Sequence, residues 1–206
     1  MQKGTIIVII ICFLIIGGVA YSLYKSSNTT TQTMNTASGA IGTPATSGNK
    51  QVVLHTEKGN IIIELLSEIA PNTAANFLKL AGDGFYDGTR FHRVIAGFMI
   101  QGGDPLTKDD SQMTRWGTGG SGTNINAEFN AESHVRGIVS MARSNDPNSA
   151  SSQFFIVVAD STFLDRQYTA FGKVISGMEV ADAIVAAGEG KELPDNPIVI
   201  NNTEVK

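Results

Sequence analysis

Short apolar runs with a period of two, cut by turns rich in Gly, Asn and Asp, recur from residue 51 to the end of the chain, with only two stretches at helical spacing. Val52 to Thr56 and Ile61 to Leu65 are the first pair, joined by Glu57, Lys58, Gly59 and Asn60 as a hairpin. Further strands are predicted at about Arg90 to Ile95, Met99 to Gln101, Gly137 to Ala142, Gln153 to Val158, Ala170 to Ile175 and Pro197 to Val205. Pro71 sits well in a first helical turn. Ala74, Ala75, Phe77, Leu78 and Ala81 then repeat at helical spacing until Gly82 and Gly84. A second helix over about Gly177 to Ala187 turns Val180, Ala183, Ile184 and Ala187 inward. Many short strands with two helices favour a mainly β fold, a closed antiparallel barrel in which closure removes exposed edges.

Within this pattern one stretch is unusual. Phe91 to Asp104 reads FHRVIAGFMIQGGD, and its alternation sets Phe91, Arg93 and Ile95 against His92 and Val94, so that a guanidinium lies between large apolar neighbours. Ala96 and Gly97 make a tight connection to Phe98, Met99 and Gln101. Fifty residues on, SQFFIVV places Phe154, Ile156 and Val158 on a core face, which sends Gln153, Phe155 and Val157 to the other. One Arg, two Gln, two Phe and a Met would line an apolar hollow with few polar donors, suited to a small apolar ring joined to an amide. Spacing alone would also fit Phe98, Met99 and Phe155 as ordinary core, and Arg93 as a surface charge. His92 faces away from Arg93 and reads as a packed or hydrogen-bonded core histidine. His55 and His134 are scattered without metal-ligand spacing. Gly117 to Gly120 lacks the strand-to-helix setting and the Lys-Ser/Thr pair of a phosphate-binding loop.

FHRVIAGFMIQGGD, GTGG (117–120), GIVSMA (137–142), SQFFI (152–156), FLD (163–165) and FGKV (171–174) stand in the order and approximate spacing of the cyclophilins, the family of peptidyl-prolyl cis/trans isomerases that this chain resembles over roughly residues 51–206. The resemblance implies a closed eight-stranded antiparallel barrel capped by two α-helices, with the site on its outer wall. It implies Arg93 as the donor to the twisting imide. Phe98, Met99, Phe155 and Leu164 become the proline pocket, and Gln101, Gln153 and the backbone around Ala142 and Arg143 hold the peptide. No metal or cofactor is implied, and 104–132 and 144–151 become loops framing the groove. Phe163 and Tyr168 occupy positions where eukaryotic members carry a Trp and a His. The aromatic wall is kept but the indole donor is lost, so weak cyclosporin binding is expected. Arg143 stands where an Asn is common and would add charge at the groove rim. A non-catalytic proline-peptide scaffold and an inert spacer are the competing readings.

Residues 51–206 hold twelve Lys and Arg against nineteen Asp and Glu, a balance of minus seven that argues against a nucleic-acid partner. The lone Cys12 leaves this domain without thiols, compatible with an oxidising exterior. Thr5 to Tyr24 is a run of twenty uncharged residues between Lys3 and Lys25, long enough for a bilayer core of roughly 30 Å. Residues 1–25 are therefore expected to be a transmembrane signal anchor, or a signal peptide cut after Ala20, and 26–50 a flexible tether poor in anything to bury. The expected molecule is a monomer facing the extracytoplasmic side of the cell membrane and acting on proline-containing polypeptides.

Overall fold

The computed structural model describes residues 50–206; the apolar run and nearly all of the tether lie outside them. Among the described residues, no helix is long and apolar enough to cross a membrane.

Eight strands form one antiparallel sheet: β1 (Gln51–Thr56), β2 (Gly59–Leu65), β3 (Arg93–Ile95), β4 (Met99–Gly102), β5 (Ile138–Met141), β6 (Phe154–Val157), β7 (Ala170–Ser176) and β8 (Ile200–Val205). Their order across the sheet is β3-β4-β6-β5-β7-β2-β1-β8. The expected closed barrel is corrected here: the sheet curls, but β3 and β8 are left as edges that share no ladder. Arg90 and Val199, just before those strands, form an isolated bridge, and the Phe91 amide donates to the Ile198 carbonyl at 3.0 Å. Three residues of β3 are too few to carry a closing ladder. The first hairpin is tighter than expected, since Thr56 pairs directly with Gly59.

One face of the sheet and two helices, α1 (Pro71–Gly82) and α2 (Met178–Ala187), enclose the main core. Phe77 of α1 is its hub, with ring centroids 5.1 Å from Tyr86, 5.2 Å from Phe154 and 5.0 Å from Phe171. Val180, Ala181 and Ile184 are the buried residues of α2. Phe91 and Val94 both join this core, so the expected placement of Phe91 beside Arg93 is wrong. Regular strand geometry starts only at Arg93, and the chain before it follows the 198–200 segment instead.

The α1 N-terminus has no cap of its own, because Ala70 offers no side-chain acceptor. Glu128 supplies it from far along the chain, accepting from the Asn72 and Thr73 amides at 3.0 and 2.8 Å and from the Thr73 hydroxyl at 2.7 Å. Burial pushes this carboxyl up, but the bonds from Thr73 and Asn72 outweigh it and hold it below the usual carboxylate range. The Glu128 amide in turn donates to the Thr169 hydroxyl at 3.0 Å, which ties the long 104–132 connection to the start of β7. That connection is not plain loop: Pro105–Lys108 and Asp110–Arg115 form 3-10 turns.

Candidate active site

β4, β6 and β5 alternate between two faces, and the residues that miss the main core make a second, smaller cluster outside it. Met99, Ile138, Phe155, Val157, Leu164 and Ala170 are its buried members, with Ile95, Phe98, Ala142 and Tyr168 half-buried around them. The register sets the polar residues beside it. Arg93 lies opposite Gln101, Gln101 opposite Phe155, and Phe155 opposite Ser140, one row across four neighbouring strands. Phe163 is 64% exposed, at the rim, with its ring 5.4 Å from that of Phe98. Tyr168 meets Phe155 edge-on at 5.8 Å. Arg143 stacks 4.6 Å over the Tyr168 ring, with its Nε and Nη2 donating to the Gln167 carbonyl and its Nη1 to the Ser144 carbonyl. The charge expected at the groove rim is thus folded down onto an aromatic wall. All the candidate residues gather on this one face.

The polar residues are held in place by residues far away in sequence. Gln101 Nε2 donates to Gln153 Oε1 at 2.9 Å, and Gln153 Nε2 donates to the Gly119 carbonyl at 2.8 Å. The Ala142 amide donates to the Gln153 carbonyl at 3.0 Å. Gly119 is fixed because its amide, like those of Gly117 and Leu106, donates to the buried Asp104 carboxylate. The glycine-rich loop therefore cradles an anion after all, but one from its own chain. A Cβ at Gly119 would stand 2.1 Å from an Asp104 oxygen. Gly103 is equally constrained, with φ +83° and space for a Cβ only 2.5 Å from the Ser152 carbonyl oxygen.

Arg93 Nε donates to Glu192 Oε1 at 2.6 Å, the Arg93 side chain being 38% exposed. Beneath Phe155 lies a group that sequence reasoning passed over as scattered. His134 is fully buried, its ring stacked 6.3 Å from that of Phe155, with Nδ1 3.1 Å from Asp165 and Nε2 3.1 Å from the Ser140 hydroxyl. Burial pushes the His134 pKa down, and the hydrogen bond and charge of Asp165 offset this only in part. Asp165 is held below the usual range by the His134 amide, with the Ser133 hydroxyl also donating to it. A neutral His134 donating from Nδ1 to Asp165 and accepting from Ser140 satisfies all three groups. The available signal was Ser140, a hydroxyl in an otherwise apolar strand, which must find a partner when buried. His92 is buried as expected, but among the described residues neither ring nitrogen has a hydrogen-bond partner, and burial pushes its pKa down.

Apolar side chains beside a cation, with two amide side chains in the same row, are the chemistry that a proline ring and its attached peptide call for. The family model "Cyclophilin type peptidyl-prolyl cis-trans isomerase/CLD" matches residues 51–205. The chain belongs to the cyclophilin family. A probable peptidyl-prolyl cis-trans isomerase of Brucella suis is 44% identical to this cyclophilin over 158 residues, covering 74% of this chain and 81% of the relative. Peptidyl-prolyl cis-trans isomerase A of Dickeya dadantii is 42% identical over 174 residues, covering 78% and 87%. Among solved structures, a cyclophilin-type isomerase of Cryptosporidium parvum, crystallised in the presence of the dipeptide Ala-Pro, superposes with a TM-score of 0.67 at 33% identity. The match covers 76% of this chain and 98% of that one. The cyclophilin is therefore a peptidyl-prolyl cis-trans isomerase by family.

Proposed function

We propose that this cyclophilin binds an X-Pro segment across the outer face of its sheet, with the ring among Phe98, Met99, Phe155 and Leu164, and that Arg93 donates to the imide nitrogen as the bond twists. Gln101, Gln153 and the backbone of Ala142 and Arg143 hold the flanking peptide, with Phe163 and Tyr168 as the outer wall. The carrying observation is the strand register that sets Arg93, Gln101 and Phe155 in one row beside the second cluster. The Cryptosporidium parvum relative, crystallised in the presence of Ala-Pro, supports a proline-containing ligand.

The chemistry needs no nucleophile. An X-Pro bond prefers trans by only about 0.5 to 1 kcal/mol but turns over tens to hundreds of seconds, because rotation breaks amide conjugation. At the halfway point the nitrogen regains its lone pair and accepts a hydrogen bond, which neither planar form does. A fixed donor therefore favours the twisted state alone. Each tenfold in rate requires about 1.4 kcal/mol, so one charge-assisted bond supplies part of the acceleration and immobilising the ring supplies the rest.

Exchange spectroscopy on a short Ala-Pro peptide with the full chain tests this. Arg93→Ala should slow catalysed exchange roughly 100-fold while the peptide still binds. Binding without exchange in the unmutated protein would instead identify a scaffold module.

The uncharged run over Thr5 to Tyr24 supports an exported, membrane-tethered monomer that assists folding of extracytoplasmic proteins. The mass of the mature protein distinguishes the tethered form from one cut after Ala20. Loss of the indole donor at Phe163 supports weak cyclosporin binding, measurable as inhibition only at high drug concentration.

A further inference from the structure

Among the described residues Arg93 has one hydrogen-bond partner, and it is far off in sequence. Its Nε donates to Glu192, ninety-nine residues along the chain. Glu192 is itself fixed there by its backbone, because its carbonyl accepts from the Val94 amide at 2.8 Å on the free edge of β3. One residue thus covers the unpaired strand edge and reaches round to the guanidinium beside it. The bond uses the Nε side of the planar fork and leaves the two terminal nitrogens without a partner among the described residues. A fork held by one edge cannot swing freely about its last torsions, so its remaining donors keep one direction.

We propose that Glu192 is a positioning residue for Arg93: it orients the guanidinium so that Nη1 and Nη2 face the proline slot, and lowers the conformational cost of the bond to the twisting imide. This rests on the role assigned to Arg93 above. Both side chains are largely solvated, at 38% and 54% exposure, so the pair contributes little to folding and its loss should appear in turnover rather than stability. An anchor that matters only when the imide twists lowers the rate for bound peptide and leaves affinity alone.

The experiment is a double-mutant cycle in the full chain, read with a short Ala-Pro peptide. Glu192→Ala should lower the exchange rate of bound peptide roughly tenfold, with unchanged peptide affinity and a melting temperature shifted by about 2 °C or less. Glu192→Gln should restore most of the rate, because its amide oxygen still accepts from Nε. In an Arg93→Ala background Glu192→Ala should have no further effect. The Arg93 Nε–H resonance should be shifted in the wild type and in Glu192→Gln, and return to its solvent-exposed position in Glu192→Ala. A wild-type rate for Glu192→Ala, or the same loss with Arg93 already removed, overturns the inference while leaving Arg93 in its role. A wild-type rate for Arg93→Ala overturns that role and the inference together.

Discussion

Phe154 and Phe155 are consecutive residues of β6, and both are almost fully buried, yet they belong to different regions of the molecule. Phe154 points into the main core, where Phe77, Tyr86 and Phe91 surround it and both helices close the space. Phe155 points the other way, into a thin cluster with Tyr168 at its edge, His134 stacked against it and solvent a few residues off. A strand whose two faces are both apolar can hold a fold together with one and offer a ligand surface with the other. The difference lies in what encloses each ring: secondary structure on the inside, and loops tied down by long-range hydrogen bonds on the outside.

The sharpest way to break the comparison is to truncate each ring in turn. Phe154→Ala should cost about 3 to 5 kcal/mol of stability, since the rigid core around it cannot collapse into the space. Phe155→Ala should cost nearer to 2 kcal/mol, roughly the transfer term alone, because the thin outer cluster can relax. It should nevertheless abolish detectable binding of an Ala-Pro peptide. Urea unfolding and peptide titration on both variants decide it: equal stability losses would mean that the two faces are one core. Next in size is Glu128→Ala, which strips the borrowed cap from α1 and removes the side-chain anchor of the segment whose backbone amide bonds Thr169. About 1 to 2 kcal/mol is expected by urea unfolding, together with a modest loss of peptide affinity through Tyr168. A loss of stability without any change in affinity would separate the clasp from the pocket.

The smallest effect comes from pH. His92 and His134 both have folded-state pKa values lowered from 6.5 by burial, so as pH falls the unfolded chain takes up protons that the folded chain refuses. Their contribution is full above pH 6.5 and declines as pH drops below it. The urea midpoint should therefore fall between about pH 7.5 and pH 5.5. His134→Gln should flatten part of that slope. A midpoint constant over this range would show that at least one of the two rings finds a proton partner.

The strands and helices were legible because their signals are local. Period-two runs, Pro71 at a helix start and the glycines that end each run placed all eight strands and both helices within a few residues. The division of Gln153, Phe155 and Val157 from Phe154, Ile156 and Val158 followed from the same period. Sheet closure was not legible, since it depends on whether Arg90 to Ile95 bonds to the last strand along its length, and only part of it does. Nor were Glu192, Glu128 or the Asp165–His134–Ser140 chain. Each joins residues brought together only by the finished topology, and a lone Glu or His carries no mark of its partner. Gly117 to Gly120 illustrates the limit well: it lacks the signature of a phosphate-binding loop, and the carboxylate that its amides do hold, Asp104, belongs to a different block of sequence.

The edge position of β3 has a mechanical consequence. A three-residue rim strand is supported by β4 on one side and by a single loop residue on the other, whereas β4, β5 and β6 are each paired on both flanks. In the proposed mechanism the donor thus takes its direction from one contact, with Glu192, while the surface that would grip the ring is held by ladders on both sides. One strand spacing separates a singly supported donor from a doubly supported floor.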